Sequence, residues 1–275
     1  MSLKLVTLLT DFGHRDPYVA CLKGVMLSIN PNLKIVDITH EVPKFNIRYG
    51  ALILKNVVAF FPPQTIHMAV VDPGVGSGRR AIIVETEKGY FLVGPDNGLL
   101  YPAAIEGGIK KVVEITNEDY FLKPASITFA GRDVFAPVAA YLTLGMPITR
   151  FGSEIDDMEK LLIPVPKFKG GNLEGEVIAI DSFGNIITNI TQSYLIKKLK
   201  VGNMISVNLK GKEVSLPFVK TYSDVPKGNL LALIDSFGYF EISINMGSAA
   251  DLLKVEVGDK ITLALGGENN DSNRR

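Results

Sequence analysis

Along the first half of the chain, the apolar positions alternate between two periods. Residues 4–9 form a short, partly β-branched apolar run leading into Thr10-Asp11-Phe12-Gly13, which predicts a strand. Over residues 17–29 the spacing lengthens, and Val19, Leu22, Val25, Met26 and Ile29 recur as one face of a helix. Residues 34–38 predict a second strand. Residues 49–61 predict a second helix facing inward through Leu52, Val57 and Phe61. A third strand at 65–71 ends in Asp72-Pro73-Gly74-Val75-Gly76. Strands alternating with helices in this way predict a largely parallel sheet covered by helices. Further strands are expected at 81–86, 90–93 and 111–115, then a helix over 133–144 stopped by Gly145 and Pro147.

The pattern changes after about residue 163. Pro164, Pro166, Gly170 and Gly171 read as a linker. Short apolar runs follow at 176–180, 186–190, 204–209, 230–234, 240–244 and 260–265, punctuated by Gly, Asn and Asp. Runs of that length and spacing predict a small all-β barrel or sandwich. The expected layout is an α/β N-terminal domain over 1–163, a β-barrel C-terminal domain over 164–266, and a polar disordered tail at 267–275.

Composition narrows the function classes. The 275 residues are 47% hydrophobic and 21% charged, with 29 basic and 29 acidic residues and a formal net charge of zero. No basic block or acidic tail asks for nucleic acid or an anionic membrane. No run approaches the ~18 apolar residues of a membrane span, and the first residues lack a signal-peptide layout, so the expected compartment is the cytoplasm. Cys21 is the only cysteine, which excludes an intrachain disulfide and a Cys-based metal site. Its place within a helix predicts a buried, inert thiol.

Candidate chemistry gathers where strands end, because open parallel sheets bind ligands beyond the carboxyl ends of their strands. Asp11 follows the first strand and Asp72 the third, although Asp also serves there as a cap or turn residue. The loop after Asp72, Pro73-Gly74-Val75-Gly76-Ser77-Gly78, lets backbone approach a ligand and is closed by Arg79-Arg80. It is not a phosphate-binding Walker loop, since no Gly-Lys-Ser/Thr follows. Asp11-Phe12-Gly13 is no kinase element, because the rest of that signature set is missing. Gly94-Pro95-Asp96-Asn97-Gly98 reads equally as a connecting loop or a ligand contact. Asp181-Ser182-Phe183-Gly184 recurs as Asp235-Ser236-Phe237-Gly238, and two hairpin turns explain the repeat at least as well as a site does. His14, His40 and His67 have no metal-ligand spacing, and His67 reads as structural.

Taken in order, six landmarks resemble the S-adenosyl-L-methionine hydroxide adenosyltransferases, relatives of the bacterial fluorinase and chlorinase. They are Thr10-Asp11-Phe12-Gly13, Val71-Asp72-Pro73-Gly74-Val75-Gly76, Pro95-Asp96-Asn97-Gly98, Thr128-Phe129 with Gly131-Arg132-Asp133, Asp181-Ser182-Phe183-Gly184-Asn185, and Asn245-Met246-Gly247-Ser248-Ala249-Ala250. The resemblance implies an α/β domain, a β-barrel domain, and a homotrimer with substrate sites between neighbouring subunits. It implies the conversion of S-adenosyl-L-methionine and water to adenosine and L-methionine, with no separate cofactor. On the same ground Asp72 and Arg79 form the hydrolytic pair and Asp11 binds the ribose hydroxyls. Asp181 meets the methionine amino group and Ser236 its carboxylate, while Asn185 and the Asn245-Met246 backbone meet the adenine. Phe129 and Phe183 are implied as further substrate contacts. The related halogenases carry tyrosine where Asp72 stands, and a carboxylate repels halide, so Asp72 favours water as nucleophile.

One position departs from the pattern. The hydrolases read Thr-Phe-His-Gly-Arg-Asp, and here Ala130 replaces the histidine. Alanine can neither accept nor donate a proton through its side chain. Three readings stay open at this point: an engineered knockout, a natural variant that works with Asp72 and Arg79 alone, or a protein that binds S-adenosyl-L-methionine or adenosine without turnover.

Overall fold

A computed structural model describes residues 4–196 and 198–265, so the tail expected at 267–275 lies outside the described residues. The chain divides into two compact units, Met1–Leu162 and Ile163–Arg275.

The first unit is built on a seven-stranded sheet. Its strands are β1 (Leu5–Thr10), β2 (Lys34–Thr39), β3 (Ile66–Val70), β4 (Ala81–Thr86), β5 (Phe91–Pro95), β6 (Ile109–Glu114) and β7 (Glu154–Ile155), in the order β2-β1-β3-β5-β4-β6-β7. Strands β2, β1, β3 and β5 pair parallel, β4 runs against β5 and β6, and β7 runs against β6. Five strands therefore share one direction and only β4 and β7 oppose them, which makes the sheet largely parallel.

The helices are α1 (Tyr18–Ile29), α2 (Ile47–Val58), α3 (Tyr101–Gly107) and α4 (Ala136–Thr143). Leu22 and Met26 of α1 and Val138 and Ala139 of α4 pack with Val6, Leu8, Met68 and Val70. On the opposite face, Leu54 and Val58 of α2 and Ala103 and Ala104 of α3 pack with Leu9, Ala69, Ile82 and Val84. Alternate residues of one strand thus feed two cores, which explains why the central strands are continuous apolar runs. Each fully buried Leu, Ile or Met contributes about 1.5–3 kcal/mol relative to exposure.

Helix α2 corrects the expected bounds and inward face. It begins at Ile47 because the Asn46 side chain accepts from the Tyr49 N–H at 2.9 Å, and it ends at Val58 ahead of Pro62-Pro63. Leu52 is buried as expected, but Leu54 and Val58 complete the face, while Val57 is half-buried and Phe61 lies beyond the helix. Cys21 is half-buried rather than buried, and is a free thiol.

The second unit contains β8 (Lys167–Lys169), β9 (Asn172–Ile180), β10 (Ile186–Thr191), β11 (Met204–Leu209), β12 (Lys212–Pro217), β13 (Leu230–Ile234), β14 (Tyr239–Ile244) and β15 (Lys260–Ala264), with short helices α5 (Gln192–Leu195) and α6 (Ala249–Leu253). The antiparallel order is β12-β11-β15-β9-β10-β14-β13, with β8 added on β9. A bridge between Phe218, just past β12, and Ala232 of β13 joins the two ends of that order, and the Val219 N–H donates to the Ala232 carbonyl at 2.9 Å. The sheet so curls into a barrel-like enclosure filled by Leu173, Val177, Ile186, Val207, Phe240 and Leu263. Among the described residues, no helix is long and apolar enough to cross a membrane.

His67 is buried in β3, as its structural reading anticipates. Its Nδ1 lies 2.8 Å from Thr7 Oγ1, and the rings of Phe61 and Tyr90 flank it. Burial pushes its pKa down to about 3. The unfolded chain, with an ordinary histidine near 6.5, binds the extra proton between those values, so stability falls as pH drops below 6.5. This one residue removes ~2 kcal/mol between pH 7 and pH 5. Denaturant titrations at both pH values check it: His67→Asn should lose less over that interval than the parent.

Candidate functional site

In the first unit the candidate residues assemble around the ends of β1 and β3. Asp72 follows β3, and Arg79 returns to it across the glycine-rich turn, where Gly76 has a φ of +80° that favours glycine. Arg79 Nε donates to Asp72 Oδ1 at 2.9 Å and to Oδ2 at 3.0 Å, and Arg79 Nη2 also donates to Oδ2. The Asp72 side chain is 5% exposed and that of Arg79 14%, so this forked pair is held largely out of water. The guanidinium also lies 5.3 Å from the centre of the Phe135 ring, which fixes its plane.

The neighbouring Arg80 turns to other carboxylates. It donates to Asp96 at 2.8 Å and Asp157 at 2.9 Å, which raise its already high pKa. Asp96 is buried and its other oxygen accepts from the Glu159 N–H at 2.7 Å. Asn97 donates from Nδ2 to the Val71 carbonyl at 2.9 Å and accepts from the Leu99 N–H at 3.1 Å. That loop braces the chain immediately before Asp72.

Asp72, Phe129 and Ala130 line a cavity of about 160 Å³ together with Phe12, Tyr18 and Thr128. Phe12, Tyr18 and Phe129 meet edge to face, with ring centres 5.3 to 5.9 Å apart. Ala130 begins a turn of π-helix, Gly131–Phe135, that precedes α4. The helix expected from residue 133 is thus entered two residues earlier, by a wider turn of a kind found often at functional sites. Ala130 also lines a second cavity, of about 980 Å³, whose wall includes Arg79, Ser77 and Ser126. It stands between a space that contains Asp72 and a space that contains Arg79. Asp133 anchors the loop over the larger one, accepting from the Ser126 N–H at 2.7 Å and from Arg132.

Asp11 is buried at the end of β1, outside the lining of either cavity. Its Oδ2 accepts from the Phe45 N–H at 2.9 Å, and its carbonyl accepts from Lys44 Nζ. His14 is exposed, with its ring 5.1 Å from that of His40.

In the second unit, Asp181, Phe183, Asn185, Asn245 and Met246 line one cavity of about 490 Å³ with Tyr222 and Ile244. Asp181 Oδ1 accepts from the N–H groups of Phe183 and Asn185, both at 2.9 Å, and Oδ2 accepts from Asn185 Nδ2 at 2.8 Å. Gly184 permits this turn: a Cβ there would lie 2.1 Å from Ser248 Oγ, and its φ is +80°. Met246 adopts a left-handed φ of +59°, a costly state for a side-chain-bearing residue, next to Asn245, whose Nδ2 donates to the Val225 carbonyl at 2.8 Å. Phe183 and Met246 are each 76% exposed, leaving two apolar surfaces open to a flat ligand.

The repeated Asp-Ser-Phe-Gly is the same turn twice. Asp235 Oδ1 accepts from the Phe237 and Tyr239 N–H groups at 2.8 Å, as Asp181 does for its own loop. Each closes a hairpin, β9–β10 and β13–β14. Ser236 sits exposed on the second turn and is outside the residues lining the cavity.

Tyr222 and Glu241 belong to no motif in the sequence. Tyr222 Oη donates to Glu241 Oε1 at 2.9 Å, and Ser243 Oγ donates to the same oxygen at 2.6 Å. Burial, with Asp235 and Asp181 adding to it, raises the Glu241 pKa; burial and the Glu241 contact raise that of Tyr222. Asp235 is also raised, by burial first and then by Asp181. A concentration of acidic groups beside this cavity suits a cationic ligand group. Among the described residues, no group of three or more His, Cys, Asp or Glu is placed to hold a metal ion.

The SAM hydroxide adenosyltransferase N-terminal domain matches residues 6–152, and the C-terminal domain of the same family matches residues 175–262. The chain belongs to the SAM hydroxide adenosyltransferase family. An (R)-S-adenosyl-L-methionine hydrolase of Methanocaldococcus jannaschii is 42% identical over 268 residues, covering 95% of this chain and 96% of that one. Another, from Salinispora tropica, is 39% identical over 264 residues, covering 95% and 98%. The crystal structure of an uncharacterized conserved protein from Thermotoga maritima superposes with a TM-score of 0.90 at 40% identity, over 94% of this chain and 99% of that one.

Proposed function

We propose that this family member hydrolyses S-adenosyl-L-methionine to adenosine and L-methionine, water attacking C5′ of the ribose. The observation that carries the reading is the forked Asp72–Arg79 pair in a family whose similar members are named as hydrolases of that molecule. The sulfonium makes methionine a good leaving group: as the new C–O bond forms, the C5′–S bond breaks and its electron pair neutralises the sulfur. Water is the weak partner, and it gains nucleophilicity as Asp72 accepts its proton. Arg79 holds that carboxylate in one orientation and presents positive charge toward a developing hydroxide. Ala130 adds no proton-transfer group, so the pair acts alone.

Asp11 is assigned to the ribose hydroxyls and Phe129 to packing on the substrate. Asp181 is assigned to the methionine amino group, a role its negatively charged surroundings favour, and Ser236 to the methionine carboxylate. Phe183, Asn185, Asn245 and Met246 are assigned to the adenosine end, the two exposed apolar faces suiting adenine. S-adenosyl-L-methionine is substrate here, with no further cofactor. The working assembly is taken as a homotrimer and the compartment as the cytoplasm.

Turnover in water enriched in ¹⁸O tests the chemistry. Attack at C5′ places the label in the adenosine 5′-hydroxyl, whereas unlabelled adenosine contradicts it.

A further inference from the structure

His40 is buried, plays no part in the reaction above, and touches the Asp11 turn at both ends. Its Nδ1 lies 2.8 Å from Thr10 Oγ1, and its carbonyl accepts from the Gly13 N–H at 2.7 Å. On the other side of the ring, Nε2 faces Asp37 Oδ1 at 3.2 Å, off the line of a well-formed hydrogen bond. Asp37 Oδ2 accepts in turn from Lys23 Nζ at 2.6 Å. Thr10 Oγ1 accepts from the Phe12 N–H at 3.2 Å, closing the turn around Asp11.

The Asp37 carboxylate decides between the tautomers. Thr10 Oγ1 has a second lone pair beside the one that accepts from Phe12, but only a hydroxyl donating to Nδ1 leaves the ring hydrogen on the side of the acid. The ring hydrogen then lies on Nε2, the side of the ring that faces the Asp37 carboxylate, a charge contact at 3.2 Å rather than a hydrogen bond. The opposite tautomer would leave the Thr10 hydrogen without its histidine acceptor and set a bare Nε2 lone pair against a carboxylate. Burial lowers the His40 pKa, with Asp37 opposing and His14 and Lys23 adding to the effect.

We propose that His40 is a positioning residue, the centre of an Asp37–His40–Thr10 relay that holds the turn carrying Asp11 in its ligand-binding shape. The order acid, imidazole, hydroxyl is that of a hydrolytic triad, but Thr10 and His40 are fully buried, so the hydroxyl meets no substrate. Its acceptor oxygen instead fixes the Phe12 N–H, and the His40 carbonyl fixes that of Gly13. Asp11 lies between Thr10 and Phe12, the two residues that the first of these bonds ties together, and Gly13 follows at once. The inference rests on the reading of Asp11 as the ribose ligand.

The experiment combines binding with ring spectroscopy. Calorimetry measures adenosine and 2′,3′-dideoxyadenosine binding to the parent, Thr10→Val, His40→Leu and His40→Asn, and steady-state kinetics separates KM from kcat. Thr10→Val and His40→Leu should weaken adenosine binding about tenfold, the typical worth of one well-placed hydrogen bond. The same variants should barely change dideoxyadenosine binding, and the loss should fall on KM rather than kcat. His40→Asn, whose Oδ1 can still accept from Thr10, should recover most of the loss. Long-range ¹H–¹⁵N spectra of the parent at pH 7 should show His40 protonated on Nε2 alone. Undiminished adenosine binding in Thr10→Val, or a proton on Nδ1, overturns the relay. A parent that binds both nucleosides equally well removes the ribose role of Asp11 and with it the positioning function, while the spectra still report whether the tautomer is correct.

Discussion

Placing histidine at position 130 should raise adenosine formation by ~10²–10⁴-fold, the usual worth of one positioned acid–base group. Ala130 lies at the start of the π-helical turn and lines both the space with Asp72 and the space with Arg79. An imidazole grown from its Cβ therefore enters the region where water must lose its proton. The larger cavity offers room for it, so the substitution should fold without strain. The gain should appear in kcat, with KM little altered, because no assigned substrate contact is touched. Rates from the parent and Ala130→His that are equal and substantial would show instead that Asp72 and Arg79 suffice in this chain.

Removing the base should act in the opposite direction. Asp72→Asn keeps the size of the side chain but abolishes its capacity to take up the proton, and kcat should fall by ~10²–10⁴-fold. Binding of S-adenosyl-L-methionine should survive, since the assigned recognition groups are elsewhere. The substitution also leaves a largely buried Arg79 without its carboxylate, so a stability loss of about 3–5 kcal/mol is expected. Calorimetric binding and a melting curve recorded beside the kinetics separate a chemical defect from unfolding. Parent-like kcat in folded Asp72→Asn would remove Asp72 from the reaction.

Much of the architecture was legible because burial on both faces writes itself into the sequence. The central strands of the first unit are nearly unbroken apolar runs, and β4 falls at the expected residues 81–86. What remained hidden depended on partners far away in sequence. Strand β12, Lys212–Pro217, has too many polar residues to read as a strand, and it is held by its hairpin partner β11. Helix α3 has only seven residues, below what helical spacing can declare. Glu241 alternates with apolar neighbours and so reads as a solvent-facing strand residue, yet it is buried beneath Tyr222 and Ser243. The site landmarks were legible as motifs, but not the division of labour within them. Neighbouring Arg79 and Arg80 serve different carboxylates, Asp72 and Asp96, while Asn97 braces the approach to Asp72. His40 has no motif signal because Thr10, which its Nδ1 meets, is brought to it only through the parallel pairing of β1 and β2.

The most direct test of the account is product chromatography after incubating S-adenosyl-L-methionine with the unmodified protein. Adenosine and L-methionine should appear in equal amounts, matching the substrate consumed and scaling with protein concentration. Demonstrated binding with no adenosine after prolonged incubation, from the parent and from Ala130→His alike, would contradict hydrolysis and leave a binding protein in its place.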